Sequence, residues 1–126
     1  MLALDAVMVT GTQRAGREIP AERFFQDFLT TALRQNEVLT RIDIPALPAR
    51  TGTSYAKLAN KASHYALVGV AAVITLDANG VCEKARVAIT GAGPHAVRAK
   101  RTERILVGKK PEPNVIRNAA KRAGAE

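Results

Sequence analysis

The residues that could do chemistry in this sequence are few and lie far apart. Cys82 is the single cysteine, and His64 and His95 are the two histidines. A nucleophile needs a base within hydrogen-bond reach, and neither histidine is near Cys82 in sequence, so we expect Cys82 to be a packed or half-exposed thiol. His64 could titrate near neutral pH, but a surface loop explains it as well. These residues also give no set of soft ligands for structural zinc or an iron–sulfur cluster.

A short glycine-containing stretch, Gly91–Pro94, is the candidate for a phosphate-binding loop. Glycines permit close approach of the backbone to a phosphate, and a helix that begins after the loop would add its partial positive charge. The stretch lacks the third glycine of the dinucleotide fingerprint and the Gly-Lys-Ser/Thr ending of a phosphate loop. A plain connection between a strand and a helix is therefore the favoured interpretation.

Basic residues dominate the charge of the chain. Nineteen Lys and Arg against eleven Asp and Glu give a formal charge of +8, which would attract a nucleic acid, a phosphate-bearing cofactor or an acidic partner protein. A dense basic set lies towards the C-terminus: Arg98, Lys100, Arg101, Arg104, Lys109, Lys110, Arg117, Lys121 and Arg122. Such a run on an amphipathic helix is more often a solvated face than a binding surface.

Lys57 differs from the other basic residues because it sits within a predicted strand, Thr53–Leu58, just ahead of a loop over residues 60–65. A lysine at a strand end can pack its stem and still reach a phosphate or an electron-rich ring. Lys57 is therefore a candidate ligand-binding residue.

The hydrophobic pattern predicts an α+β fold in which these residues are placed. Residues 2–10 and 17–19 form a hairpin across a polar turn at 11–16, and Pro20 starts a helix that buries Phe24, Phe25, Phe28 and Leu29 on one side. Residues 38–44 alternate as a half-buried strand that Pro45 ends. Residues 68–76 and 81–90 form a second hairpin around Asn79-Gly80, and two helices near residues 97–107 and 114–123 pack on one face of the antiparallel sheet.

Length and composition limit the class of protein. A chain of 126 residues has no room for two independent hydrophobic cores, and its longest apolar run, residues 66–76, is too short to span a bilayer. The lone cysteine indicates a reducing compartment, and we expect a cytoplasmic protein without a membrane partner. Aromatic residues make up 4% and tryptophan is absent, so there is no ring platform for single-stranded bases.

Several segments together resemble the flavin-binding medium subunit of molybdenum hydroxylases, of the carbon monoxide dehydrogenase and xanthine dehydrogenase type. The matching stretches occur in the order of the family: Ile19–Phe25, Asn36–Pro45, Gly52–Ala59, Tyr65–Ala72, Ala85–Pro94 and Val97–Ala99. The resemblance implies that residues 1–45 are the end of the FAD-binding domain. It implies that residues 46–126 are the C-terminal domain, a small antiparallel sheet with helices on one face, without its last helix.

The resemblance also implies a role in electron transfer. In this family a large molybdopterin subunit oxidises the substrate, a small subunit holds two [2Fe–2S] clusters, and the FAD subunit passes electrons to an acceptor. Two family contacts to FAD map onto Leu39, as an apolar wall, and Lys57, as a charge or hydrogen-bond donor. The family usually has an acid where this chain has His64, and the family's glycine-rich pyrophosphate loops do not occur in the chain.

The resemblance therefore implies a chain that is inactive alone, binds FAD weakly or not at all, and acts with both other subunits and the remaining FAD-binding segment. The alternative is a small basic nucleic-acid-binding module, which the charge permits and which the poverty of aromatic residues opposes. A stand-alone enzyme has no catalytic constellation to support it.

Overall fold

Residues 1–12 and 15–125 are described by the computed structural model, and they form an α+β chain with antiparallel sheets. The strands are β1 Val7–Gly11, β2 Glu18–Pro20, β3 Phe25–Asp27, β4 Thr30–Thr31, β5 Val38–Asp43, β6 Thr51–Ala59, β7 Ala66–Leu76, β8 Cys82–Thr90 and β9 Val97–Arg98. The helices are α1 Ala21–Phe24, α2 Lys100–Leu106 and α3 Pro113–Ala120, with 3-10 turns at Leu2–Leu4 and Ala123–Ala125.

Three sheets organise the described residues. One has the order β2-β1-β5, the second pairs β3 with β4, and the third has the order β6-β7-β8-β9. The turn between β7 and β8 contains Asn79-Gly80, with Gly80 at φ 76°, a conformation that glycine adopts without steric cost. The predicted second hairpin is thereby confirmed, as is the α+β class.

The four-stranded sheet has two faces with different neighbours, because successive residues of a strand point to opposite sides. On one side, here called the N-terminal face, Val73 and Ala88 share a core with residues of the first 24 positions: Leu2, Ala3, Ala6, Met8, Ile19, Ala21 and Phe24. On the other side, the helix face, the core contains side chains of β8, α2 and α3: Cys82, Ala85, Val87, Ile89, Ala99, Leu106 and Ala119. The predicted layer of two helices on one face is confirmed.

An ion network ties the N-terminal segment to the N-terminal face. The Asp5 carboxylate accepts hydrogen bonds from Arg86 of β8 at 2.9 Å and from Arg98 of β9 at 3.1 Å, and it pairs with Lys84 at 2.8 Å. Burial tends to raise the pKa of Asp5, but the hydrogen bonds from Lys84 and Arg86 outweigh it, so the pKa is lowered. Three cations from two strands therefore hold one carboxylate in its charged form.

Arg98 extends this network into the helix layer. Its guanidinium donates two hydrogen bonds to Glu103 of α2, at 2.6 Å and 2.7 Å, and Glu103 also accepts from the backbone N–H of Val87 at 2.8 Å. The Arg98 side chain is only 6% exposed. Arg98 is thus a structural residue, and its assignment to a solvated basic face was wrong.

The predicted helix after Pro20 is correct only for its first turn. Helix α1 ends at Phe24, and the following residues turn back as the β3–β4 hairpin, whose tip leaves Phe28 and Leu29 72% and 92% exposed. Leu29 has φ 49°, which no α-helix permits, and β-branched Thr30 and Thr31 pair with β3 instead. The three- and four-residue spacing of Phe24, Phe25, Phe28 and Leu29 therefore does not reflect one face of a helix.

The predicted first hairpin is confirmed, with shifted boundaries. Residues 2–4 form a 3-10 turn that ends at Asp5 with φ 50°, and only then does β1 begin and pair antiparallel with β2. Asp tolerates this left-handed conformation better than most residues. The predicted turn at 11–16 includes residues 13 and 14, which lie outside the described residues.

We expect loss of Arg98 to be far more damaging than loss of an exposed arginine. Arg98→Leu leaves the Glu103 carboxylate buried without an ion partner, and it should lower the free energy of unfolding by about 3–5 kcal/mol. Arg41→Leu breaks the exposed pair with Asp43 and should change the free energy of unfolding little. Urea unfolding of both variants with equal m-values measures the difference, and equal costs would contradict this account of the network.

Candidate functional site

Leu39 and Lys57, the two residues that the family resemblance assigns to FAD contact, both lie on edge strands. Leu39 is in β5, at the edge of the three-stranded sheet, and Lys57 is in β6, at the edge of the four-stranded sheet. Both side chains are exposed. Each can therefore contact a molecule that lies beside its sheet.

A β-bulge decides which way Leu39 points. Met8 of β1 lies opposite Ile42 and Thr10 lies opposite Leu39, with a register shift between Val9 and Thr10. Since Met8 and Thr10 are two residues apart and share a face, Leu39 and Ile42 share that face as well. The simple alternation read from the sequence had placed them on opposite faces.

The burial of β5 also differs from the expectation. Val38, Leu39 and Ile42 are 63%, 39% and 42% exposed, whereas Met8 and Thr10 beside them on β1 are buried. An edge strand has a neighbouring strand on one side only, so alternation alone does not bury its apolar residues. The prediction of a half-buried strand was wrong in this respect.

Lys57 is held at the end of β6 by the loop that follows. It lies opposite Gly69 of β7, and its Nζ donates a hydrogen bond to the backbone oxygen of His64 at 3.1 Å. The loop is closed by backbone hydrogen bonds from Asn60 to Tyr65 and from His64 to Asn60, at 2.8 Å and 2.9 Å. A lysine ammonium has three protons, so two remain for a ligand after the bond to His64.

Tyr55 accompanies Lys57 on the same face of β6, two residues earlier. A Cβ on Gly69 would collide with the Tyr55 hydroxyl and would lie 2.9 Å from Cγ2 of Thr90. The tyrosine therefore reaches across the glycine towards β8. Tyr55 was not predicted as a site residue, although its spacing of two from Lys57 in a strand places both on one face.

The strand faces that carry the two candidate residues lead towards the same core from different sheets, but neither Leu39 nor Lys57 belongs to that core. The face of β5 that carries Leu39 continues through Thr10 and Met8, while the face of β6 that carries Lys57 continues through Gly69 and Val73. Met8 and Val73 belong to one core cluster. A cleft of about 180 Å³ lies on this N-terminal face, between residues 1–3 and strands β6 to β8.

The other candidates from the sequence do not form a reactive site. Cys82 is buried in the helix-face core and burial raises the pKa of its thiol, so the expected packed thiol is confirmed. His64 contributes backbone atoms to the loop beside Lys57. Within residues 1–12 and 15–125, no group of three His, Cys, Asp or Glu side chains could hold a metal ion.

The Gly91–Pro94 loop does not offer a phosphate cradle. Gly91 has φ 81°, and a Cβ there would collide with the backbone oxygen of Leu67, so the glycine serves close packing of the chain. The loop leads into β9, and α2 begins only at Lys100. The expected direct connection to a helix was therefore wrong in detail, and no helix N-terminus follows the glycines.

The remaining basic residues of the C-terminal part are exposed, as the solvated-face interpretation expects: Arg101, Arg104, Lys109, Lys110, Arg117, Lys121 and Arg122. Lys100 pairs with Glu22 of α1. The seven exposed basic residues face solvent beside the helix layer, whereas Lys57 lies on the N-terminal face of the sheet.

A clamp at Glu37 fixes the start of β5. Glu37 accepts hydrogen bonds from the Arg17 guanidinium at 2.6 Å and 2.8 Å and from the Arg34 backbone N–H at 2.8 Å. Its side chain is 3% exposed, and the Arg17 hydrogen bonds, followed by the Arg34 bond, lower its pKa to about 2. Glu37 is two residues before Leu39, so this clamp positions the candidate site.

Comparison with known proteins identifies the family. Residues 53–126, more than half of the chain, match the family model described as CO dehydrogenase flavoprotein C-terminal domain. The chain belongs to this CO dehydrogenase flavoprotein family. Residues 1–47 match a second model, described as FAD binding domain in molybdopterin dehydrogenase.

Relatives and solved structures of the flavoprotein family agree with this match. The carbon monoxide dehydrogenase medium chain of Hydrogenophaga pseudoflava is 33% identical over 94% of the chain and 41% of its own length. The alpha subunit of the 6-hydroxypseudooxynicotine dehydrogenase complex of Paenarthrobacter nicotinovorans is 29% identical over 85% of the chain and 36% of its own length.

A solved structure of the carbon monoxide dehydrogenase of H. pseudoflava superimposes with a TM-score of 0.89 at 34% identity. The superposition covers 96% of the present chain and 42% of the solved chain. The chain thus spans about two fifths of the length of the relatives it matches. The resemblance inferred from the sequence segments is confirmed at the level of the family.

The Glu37 clamp should make stability depend on pH in acid. The pKa of Glu37 is about 2 in the folded chain and near 4.5 without the clamp, so its stabilisation is present above pH 4.5 and disappears as the pH falls towards 2. We expect wild type to be more stable than Glu37→Gln at pH 6, with the difference shrinking between pH 4.5 and pH 2. Urea unfolding at several pH values measures it, and a difference independent of pH would contradict the assignment.

Proposed function

We propose that the chain is part of the FAD-binding medium subunit of a molybdenum hydroxylase, which relays electrons from [2Fe–2S] clusters through FAD to an acceptor. The observation that carries this proposal is the match of both parts of the chain, in order, to an FAD-binding domain and a flavoprotein C-terminal domain. In this proposal the chain flanks the cofactor and docks within the subunit.

The division into two functional parts is proposed at residue 45. The three-stranded sheet and the β3–β4 hairpin lie within residues 1–45, which we assign to the end of the FAD-binding domain. The four-stranded sheet and helices α2 and α3 lie within residues 46–126, which we assign to the C-terminal domain. No strand pairing among the described residues crosses residue 45, which supports a boundary there.

The residues at the two sheet edges suit contact with a flavin. Lys57 has two protons available beyond its bond to His64, and these can be donated to electron-rich oxygen or nitrogen atoms of a cofactor. Leu39 presents apolar surface that excludes water from a ring laid against it. When bound, FAD supplies the redox chemistry, accepting electrons from the clusters and delivering them to an acceptor.

The glycine-containing loop at Gly91 gives no cradle for the pyrophosphate of FAD among the described residues. It is closed against Leu67 and is not followed by a helix N-terminus. Since backbone donors of such a loop carry much of the affinity for a dinucleotide, the chain alone should bind FAD weakly.

Partners follow from this assignment. We propose that the chain works beside a large molybdopterin subunit, a small [2Fe–2S] subunit and the remaining FAD-binding segment of its own subunit. The name of the H. pseudoflava relative, a medium chain, supports an assembly of several chains. No helix among the described residues is long and apolar enough to cross a membrane. A cytoplasmic location is proposed from the lone, reduced and buried Cys82.

The nucleic-acid alternative has no support from the comparisons, whose names describe oxidoreductase subunits. Seven of the basic residues of the C-terminal part occupy solvent-exposed positions beside the helix layer, as a solvated face does. We therefore retain a single proposed function.

A chimeric medium chain tests the proposal. The 126 residues replace the matching stretch of the H. pseudoflava medium chain, and the flavin retained after gel filtration is measured from its visible absorbance. We expect the chimera to retain FAD, and Lys57→Met to weaken its affinity by about tenfold or more, because a charge-assisted hydrogen bond is lost. Lys61→Met, in the same loop region, is the control and should leave FAD affinity unchanged.

Two results would count against the proposal. A folded chimera that elutes without flavin would contradict the assignment of this chain to an FAD subunit. Equal FAD affinity of Lys57→Met and Lys61→Met would remove Lys57 from the site while leaving the family assignment in place.

The isolated chain gives a further prediction. Isothermal titration of the purified 126 residues with FAD should show no tight stoichiometric complex, because Leu39 and Lys57 cannot replace a pyrophosphate cradle. A stoichiometric complex of submicromolar affinity would show that the chain binds the dinucleotide by itself.

A further inference from the structure

His64 has a backbone conformation that few residue types adopt. Its φ is 58°, in the left-handed region, where a Cβ crowds the neighbouring carbonyl oxygen and where Asn, Asp and His occur more often than other side chains. A residue other than glycine that is held in this region points to a local demand of the structure. At His64 this demand concerns the direction of its carbonyl group.

The loop between β6 and β7 is built to hold that conformation. The side-chain oxygen of Asn60 accepts hydrogen bonds from the backbone N–H groups of Ala62 at 2.9 Å and Ser63 at 3.2 Å. The backbone oxygen of Asn60 accepts from the N–H of His64 at 2.9 Å, and the Asn60 N–H donates to the oxygen of Tyr65 at 2.8 Å. Four hydrogen bonds of one asparagine thus fix a loop whose side chains face solvent.

The carbonyl oxygen directed in this way accepts the hydrogen bond from the Lys57 ammonium at 3.1 Å. Lys57 has few other neighbours to hold it, because it is exposed on an edge strand and the residue opposite it on β7 is Gly69, which has no side chain. A lysine has a flexible four-carbon stem, and ordering it on binding lowers the affinity for a ligand. A lysine that already donates to a fixed oxygen loses less freedom when a ligand binds.

We propose that His64 is a positioning residue for the cofactor: its left-handed backbone directs its carbonyl oxygen at Lys57 and holds the ammonium ready for FAD. The inference rests on the proposed function, in which Lys57 donates to FAD. His64 acts through its backbone, so the imidazole ring is not required, and a residue that tolerates a positive φ can replace it. A titrating histidine would instead act through its ring.

Acetylation of Lys57 tests the geometry without any cofactor. The chimera described above, freed of flavin, is treated with limiting acetic anhydride, and peptide mass spectrometry compares Lys57 with the exposed Lys61. The ammonium must leave the carbonyl oxygen before its nitrogen can react, so His64→Val should raise the relative rate at Lys57 about threefold, whereas His64→Asn should not change it. A rate at Lys57 that His64→Val leaves unchanged would overturn the proposal.

The affinity of the chimera for FAD, measured by quenching of flavin fluorescence, tests the consequence. His64→Val should bind FAD about three- to tenfold more weakly than wild type, because a β-branched residue opposes the left-handed conformation, and His64→Asn should bind as wild type does. Lys57→Met combined with His64→Val should bind no more weakly than Lys57→Met alone, since His64 acts through Lys57. Additive losses would contradict the proposal. An equal loss in His64→Asn and His64→Val would also contradict it, because it would assign the effect to the ring.

Arg50 provides the matched control for backbone strain. Its φ is 57°, it is also exposed, and its carbonyl oxygen accepts a hydrogen bond from the N–H of Leu76 at 3.1 Å, next to the start of β6. Arg50→Val should lower the melting temperature of the chimera at least as much as His64→Val, because Arg50 also donates a side-chain hydrogen bond to the Leu76 oxygen. It should leave the affinity for FAD unchanged. Equal loss of FAD affinity in both variants would overturn the proposal in favour of a general effect of strain.

Failure of this inference and failure of the proposed function give different results. Unchanged FAD affinity of His64→Val, in a chimera whose affinity Lys57→Met weakens, would overturn the role of His64 and leave the proposed function standing. Unchanged affinity of Lys57→Met would remove both residues from the site. A folded chimera that elutes without flavin would refute the proposed function itself.

Discussion

The Asp5 carboxylate joins the two parts of the chain through three cations. It forms ion pairs with Lys84 and Arg86 of β8 and with Arg98 of β9. Arg98 also pairs with Glu103 in the helix layer. A single acidic residue at the end of a 3-10 turn therefore fixes the N-terminal segment against a sheet whose residues lie some eighty to ninety positions away. The same segment contributes Leu2, Ala3, Ala6 and Met8 to the core that contains Val73.

The candidate cofactor residues lie on two different sheets. Leu39 is in the three-stranded sheet and Lys57 is in the four-stranded sheet, and the two sheets share the core that contains Met8 and Val73. The opposite face is covered by α2 and α3, which pack on Cys82, Ala85, Val87 and Ile89 of β8. The helix face of the sheet thus has a structural role, whereas we propose that the flavin is contacted on the side of the N-terminal face.

Local patterns predicted much of this architecture. The apolar, β-branched run of β7, the alternation in β8 and the Asn79-Gly80 turn were sufficient to predict this hairpin, because the two strands are neighbours in sequence and pair with each other. The helix through Phe28 was wrong because three- and four-residue spacing also fits an apolar hairpin whose tip is exposed. The bulge that turns Leu39 to the Met8 face depends on the register with β1, and the partners of Asp5 lie in β8 and β9. Neither the bulge nor the partners of Asp5 leave a pattern in the neighbouring sequence, so neither could be predicted before the structure was known.

The position of the lone thiol has a practical consequence. Cys82 is sealed under α2 and α3, and burial raises its pKa, so a thiol reagent at neutral pH meets neither an accessible nor an ionised sulfur in the folded chain. Labelling of the thiol is expected to require opening of the helix layer. The rate of labelling at Cys82 therefore measures how often α2 and α3 move away from the sheet, and no engineered cysteine is needed.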